Sequence, residues 1–239
     1  YRGIELADSV VIDGHKLFWV PMAQGMVLFK HGGSLDRLTH TANYIIRNNS
    51  GDLGRTSLEG SRRFDALKLW IAFKVFGLEG YELLLQRAAS TTRLMRDMIV
   101  EHSDFELLTE SDTFILTYRY APSRLQQKLR TAMAHDNVGE TSELNELLNV
   151  CNAALQEQQK HQGNGFVSRT LLESTAYPGT ITVLRVVLSN VLTEAAHLRA
   201  ILEEQCEIGE TLLPASTLAG SVQGLQDDEL EQTCPSTCS

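Results

Sequence analysis

The chain has 239 residues, is 43% hydrophobic and carries a net charge of -9 with a sequence pI near 5.3. That length and apolar content allow one large globular domain or two small ones, each with a buried core. The acidic balance, the scattered Lys and Arg and the lack of an apolar run near the ~20 residues of a membrane span exclude nucleic acid and membrane as expected partners.

Tyr1 opens the chain inside a segment that reads as strand-forming, so a truncated start is expected. Ser9 to Ile12 is a β-branched run between Asp8 and Asp13-Gly14, the pattern of a buried strand that ends at a turn. Pro21 and Gly25 bracket a second turn, and Met26 to Phe29 reads as another strand. Asp13 to Gly25 is then an irregular loop between two sheet elements, of the kind that can hold a ligand.

His, Asn, Ser and Gly dominate residues 30 to 60, with Asn48-Asn49-Ser50-Gly51 as the strongest loop signal, and a mobile stretch is expected. Ser61 to Phe76 is apolar on almost every side, which predicts a helix packed on more than one face. Gly77 interrupts it, and a second helical stretch follows from about Glu79 to Glu101.

The texture changes near Phe105. Phe114 to Tyr120, Phe166 to Leu172 and Ile181 to Ser189 are strand-like, and Arg119 and Arg185 among apolar neighbours suggest a half-covered antiparallel sheet. Leu144, Leu147, Leu148, Cys151 and Leu155 follow helical spacing behind a Thr141-Ser142 cap. A further helix is predicted from Asn190 to Glu204, capped by Asn190 or Thr193. Residues 105 to 208 thus read as a small α+β domain, and 209 to 239 as a polar, disordered tail. Cys151, Cys206, Cys234 and Cys238 do not form the framework of a small secreted domain. No second ligand pair stands beside Cys234 and Cys238, so no metal is expected; a reducing, cytoplasmic location is.

Lys16 follows the first strand directly, flanked by His15, Phe18 and Trp19. Burial there would favour the neutral amine that carbonyl chemistry needs, although a lysine at a strand end can also snorkel to water. His15 reads either as a packed histidine or as a site residue. Arg62 and Arg63 read either as helix-start salt bridges or as a carboxylate grip.

The string Ala7-Asp8-Ser9-Val10-Val11-Ile12-Asp13-Gly14-His15-Lys16 resembles the cofactor-lysine motif of the group II pyridoxal-phosphate decarboxylases, the family of glutamate, aspartate, aromatic amino-acid and diaminobutyrate decarboxylases. Asp52 to Trp70, with Gly60-Ser61-Arg62-Arg63 at its centre, resembles that family's Gly-Arg-Arg helix start. Phe166-Val167-Ser168-Arg169-Thr170 and Leu184-Arg185 to Asn190 resemble strands of its carboxy-terminal domain. The similarity runs from about Gly3 to Glu204.

The resemblance implies an α/β fold-type I enzyme. Residues 1 to 104 would be the carboxy-terminal part of the large cofactor-binding domain, a remnant followed by the small α+β domain. It implies pyridoxal 5'-phosphate bound to Lys16 as a Schiff base, its ring acting as an electron sink, with His15 touching the phosphate and Asp13 close by. Arg62 falls where acidic-substrate members grip the substrate carboxylate. The expected activity is decarboxylation of an L-amino acid such as glutamate or aspartate by a homodimer when complete. Aromatic or diamino-acid decarboxylation, a related pyridoxal reaction such as oxidative deamination, and a non-catalytic fragment are the alternatives. One departure is plain: the mobile-loop tyrosine that many members carry before the arginine motif has no counterpart between Ile45 and Ser61, and Tyr44 stands only at the loop's edge. Residues that stack on the cofactor ring, pair with its nitrogen and bind most of its phosphate lie upstream of the lysine strand in the family.

Overall fold

The computed structural model describes residues 2–41, 51, 53–109, 113–162, 164–173 and 175–213. These fall into two compact units that divide between Arg87 and Ala88. The expected tail beyond 213, Tyr44 and Asn48-Asn49-Ser50 lie outside the described residues.

In the first unit, β1 (Ser9–Ile12) pairs antiparallel with β2 (Met26–Phe29), Ser9 opposite Phe29 and Ile12 opposite Met26. The β-branched and apolar residues of both segments make them strands, as the sequence predicts. The segment between them is less irregular than expected, because Gly14–Leu17 closes one helical turn, α1. β1 is also not buried: Val11 is 74% exposed. A two-stranded ribbon has too little apolar surface to cover both of its faces.

Two 3-10 turns, Gly32–Leu38 and Leu53–Thr56, lead to α2 (Ala66–Glu101). The helix starts at Ala66 rather than Ser61, after a tight turn in which Asp65 N–H donates to the Arg63 carbonyl at 2.9 Å. Gly77 breaks the helical path with φ 63 and ψ -174, a left-handed conformation that costs a side-chain-bearing residue free energy. The sequence places that interruption correctly. The multiple packing faces it predicts are absent among the described residues: Trp70 is 59% and Val75 70% exposed.

The second unit holds a four-stranded antiparallel sheet in the order β3-β4-β6-β5, built from Phe105–Thr109, Ile115–Tyr120, Ile181–Val187 and Ser168–Leu172. Helices α3 (Ser123–Ala134), α4 (Val138–Gln162) and α5 (Ala195–Leu212) bury Leu125, Leu129, Leu148, Leu155, Leu198 and Leu202 with the sheet residues Leu116, Tyr118 and Leu184. This core is the α+β arrangement the sequence suggests.

Local chemistry moves several boundaries. Helix α4 begins at Val138 rather than behind Thr141, because the Asn137 side chain accepts the Glu140 N–H at 3.2 Å while donating to the Glu140 carboxylate at 2.9 Å. Helix α5 is capped by a reciprocal Glu194–His197 box rather than by Asn190 or Thr193. Helix α3 is unforeseen: its buried stripe is only Leu125, Leu129 and Ala132 in an otherwise polar segment. Arg119 is fully buried rather than on an open sheet face. Its Nε donates to Glu106 at 2.7 Å and its Nη1 to Asn145 Oδ1 at 2.8 Å, and Tyr177 lies under the guanidinium at 4.5 Å. Pairing of this kind is what lets a guanidinium sit inside a core. No described helix is long and apolar enough to cross a membrane.

Candidate active site

Where β1 ends, the Asp13 carbonyl accepts the Lys16 N–H at 3.1 Å, and the single turn of α1 sets the two side chains side by side. Lys16 Nζ lies 2.7 Å from Asp13 Oδ2, the side chains 67% and 38% exposed. The hydrogen bond from the Lys16 ammonium, and then its charge, hold the Asp13 carboxyl below its ordinary range. Lys16 is therefore an open, ion-paired amine in this chain, the snorkelling alternative of the sequence reading and not the buried one.

His15 turns its ring the other way. Its Nδ1 lies 2.8 Å from the Gln24 carbonyl, and since a carbonyl only accepts, Nδ1 carries the hydrogen. Nε2 makes no hydrogen bond among the described residues. Gly14 is required by close approach: a Cβ there would fall 1.8 Å from Gln24 Oε1 and 3.2 Å from Val20 Cγ2. Gln24 is 6% exposed, and its Oε1 has no hydrogen-bond partner.

Asp13, His15 and Lys16 thus share one turn. Arg62 is not joined to them by any hydrogen bond or ion pair among the described residues; its Nη1 donates to Ser57 Oγ at 2.9 Å on the surface. Arg63 is the one that forms a helix-start ion pair, 3.7 Å from Asp65. An exposed amine and an imidazole nitrogen on consecutive residues match in chemistry the two ends of an aldehyde-bearing phosphate cofactor. No group of His, Cys, Asp and Glu among the described residues is arranged to hold a metal ion.

Two residues that the sequence reading passes over hold the segment after α1. Lys68 Nζ donates to the carbonyls of Met22 at 3.0 Å and Ala23 at 3.3 Å, and pairs with Asp65 at 2.7 Å. Tyr81 Oη donates to the Phe18 carbonyl at 3.1 Å. Their only trace in sequence is the Asp65-Ala-Leu-Lys68 spacing and a tyrosine one helical turn past Gly77.

Comparison with known proteins places these residues in context. Residues 1–121 match the pyridoxal-dependent decarboxylase conserved domain. An aspartate 1-decarboxylase from Aliivibrio fischeri is 42% identical over 210 residues, 87% of this chain and 38% of that protein. An aromatic-L-amino-acid decarboxylase from Bacillus atrophaeus is 29% identical over 72% of this chain and 34% of its own length. Among solved structures, mouse CSAD in its apo form superposes with a TM-score of 0.72 at 23% identity, over 87% of this chain and 41% of that one. The chain therefore spans well under half the length of these relatives, and it has their fold over that span.

Proposed function

The chain belongs to the pyridoxal-dependent decarboxylase family, and from that premise we propose that it carries the cofactor lysine of an enzyme that decarboxylates an L-amino acid. The observation that supports this reading is that the single turn ending β1 presents an exposed Lys16 amine beside a His15 ring fixed through Nδ1 by the Gln24 carbonyl.

In this reading Lys16 Nζ holds the cofactor covalently and the His15 ring, oriented by its bond to the Gln24 carbonyl, touches its phosphate. Pyridoxal phosphate, when bound, supplies a ring that takes up the electron pair left as carbon dioxide departs. Lys16 must first release its hydrogen bond to Asp13 and shed a proton. Asp13, whose carboxylate pairs with the amine at 2.7 Å, orients it. Arg62, with no ion pair of its own among the described residues, offers a planar fork to a substrate carboxylate.

Arg62 and the 42% identity to an aspartate 1-decarboxylase favour an acidic substrate, aspartate or glutamate. The aromatic decarboxylase likeness supports the second reading, in which the same lysine serves a different amino acid. The proposal includes residues 1–104 as part of a large cofactor domain, 105–208 as a small domain and 209–239 as a tail, in a cytoplasmic homodimer. Carbon dioxide release by a full-length protein carrying this chain, measured with aspartate, glutamate, an aromatic amino acid and 2,4-diaminobutyrate, tests it. Turnover of the acidic pair supports the first reading, and turnover of the others alone overturns the substrate assignment.

A further inference from the structure

Between residues 18 and 24 the backbone is held by side chains rather than by a strand or helix ladder. The carbonyls of Phe18, Met22, Ala23 and Gln24 accept from Tyr81 Oη, Lys68 Nζ, Lys68 Nζ again and His15 Nδ1 respectively. Surface loops usually leave such carbonyls to water, so satisfying each from a side chain specifies one path for the chain. Lys68 is fully used: its ammonium has three donors, and Asp65, Met22 and Ala23 supply three acceptors. Its side chain is 27% exposed, so its stem is partly packed while its bonds lie at the surface.

Tyr81 forms the second anchor. It is 5% exposed, and its ring meets Phe18 at 5.5 Å, Phe73 at 5.0 Å and Phe76 at 5.6 Å. Directly after Phe18, Trp19 adopts a left-handed backbone at φ 50, with its ring stacked 6.5 Å from that of Tyr81. A bulky residue stays in that region only when its surroundings over-determine it. Both anchors come from α2, on either side of its Gly77 break, and both act on the segment that leaves the turn carrying His15 and Lys16.

We propose that Lys68 and Tyr81 are positioning residues, a two-point clamp from α2 that fixes the 18–24 segment and thereby aims the Lys16 amine and the His15 imidazole. The inference rests on the reading of Lys16 as the cofactor lysine. A polar clamp suits this task because hydrogen bonds fix direction, whereas apolar contact alone permits sliding.

The test uses a full-length protein carrying this chain, with Lys68→Met, Lys68→Arg and Tyr81→Phe compared to wild type. Lys68→Met should speed amide exchange within residues 19–24 by about tenfold or more while exchange in the second unit stays unchanged. It should lower kcat by about tenfold at unchanged KM, as a misaimed catalytic group does. Lys68→Arg, which keeps charge and donors, should recover most of both, and Tyr81→Phe should loosen residues 18–20 more than 22–24. Unchanged exchange in Lys68→Met, or an equal loss of protection across both units, would overturn the clamp. If wild type shows no visible absorbance with pyridoxal phosphate, the cofactor reading fails, and the exchange data still decide whether the clamp exists.

Discussion

Lys16 and Arg62 carry the account at the level of single residues. In a full-length protein, Lys16→Ala should abolish the visible absorbance of bound cofactor and nearly all turnover, whereas Asp13→Asn should keep the absorbance, because Asp13 only orients the amine. Arg62→Lys should weaken substrate use by about 1.5 to 3 kcal/mol, the scale of a charged hydrogen bond, and leave cofactor binding intact. Wild-type kinetics in that variant would return Arg62 to the surface contact it makes with Ser57. That Asp13, His15 and Lys16 stand close together was legible because one short string carries all three, and a single helical turn brings neighbours in sequence together. Lys68 was not legible, since its partners are main-chain carbonyls 45 and 46 residues upstream and no side-chain pattern announces a carbonyl. Sequence left Lys16 open between a buried and a snorkelling amine, since aromatic neighbours in sequence need not lie over the amine in space.

Two glycines separate conformational from steric cost at the level of elements. Gly77 has nothing within 4 Å of a built Cβ, so Gly77→Ala should cost about 1 to 3 kcal/mol through its backbone alone, φ 63 with ψ -174 being open to little but glycine, and Gly77→Asn no less. At Gly209 in α5 a Cβ would fall 2.3 Å from Tyr120 Cε1, so Gly209→Ala should cost about 1 to 3 kcal/mol by overpacking. Denaturant midpoints measure both, and a Gly209→Ala chain as stable as wild type would mean that α5 and β4 are less tightly packed than described. Burial pushes the Cys151 thiol up to about 12, so it should resist alkylation at pH 8 until the chain unfolds. Both strands of the first unit and the Gly77 break could be read from β-branched runs and a lone glycine. Helix α3 could not, because three small or aliphatic residues in a polar segment give almost no periodic signal, and the start of α5 was set by a Glu194–His197 cap outside the usual Ser, Thr, Asp and Asn choices.

The molecule as a whole is uneven in its packing. The second unit closes its own core around Tyr118, Leu148 and Leu184, whereas the first leaves Val11, Trp70 and Val75 in water. Such side chains are surface that further chain could cover. Hydrogen exchange on the isolated 239-residue chain should accordingly show protected amides in the second unit and fast exchange in β1 and β2, with no measurable decarboxylation on adding pyridoxal phosphate. Robust activity from this chain alone would show that the remaining site residues are already within it. The central claim, that Lys16 holds the cofactor, has a more direct test. A full-length protein is incubated with pyridoxal phosphate, reduced with borohydride to make the linkage permanent, digested and mapped by mass spectrometry. The account predicts the added cofactor mass on Lys16; its appearance on another lysine, or on none, would contradict it.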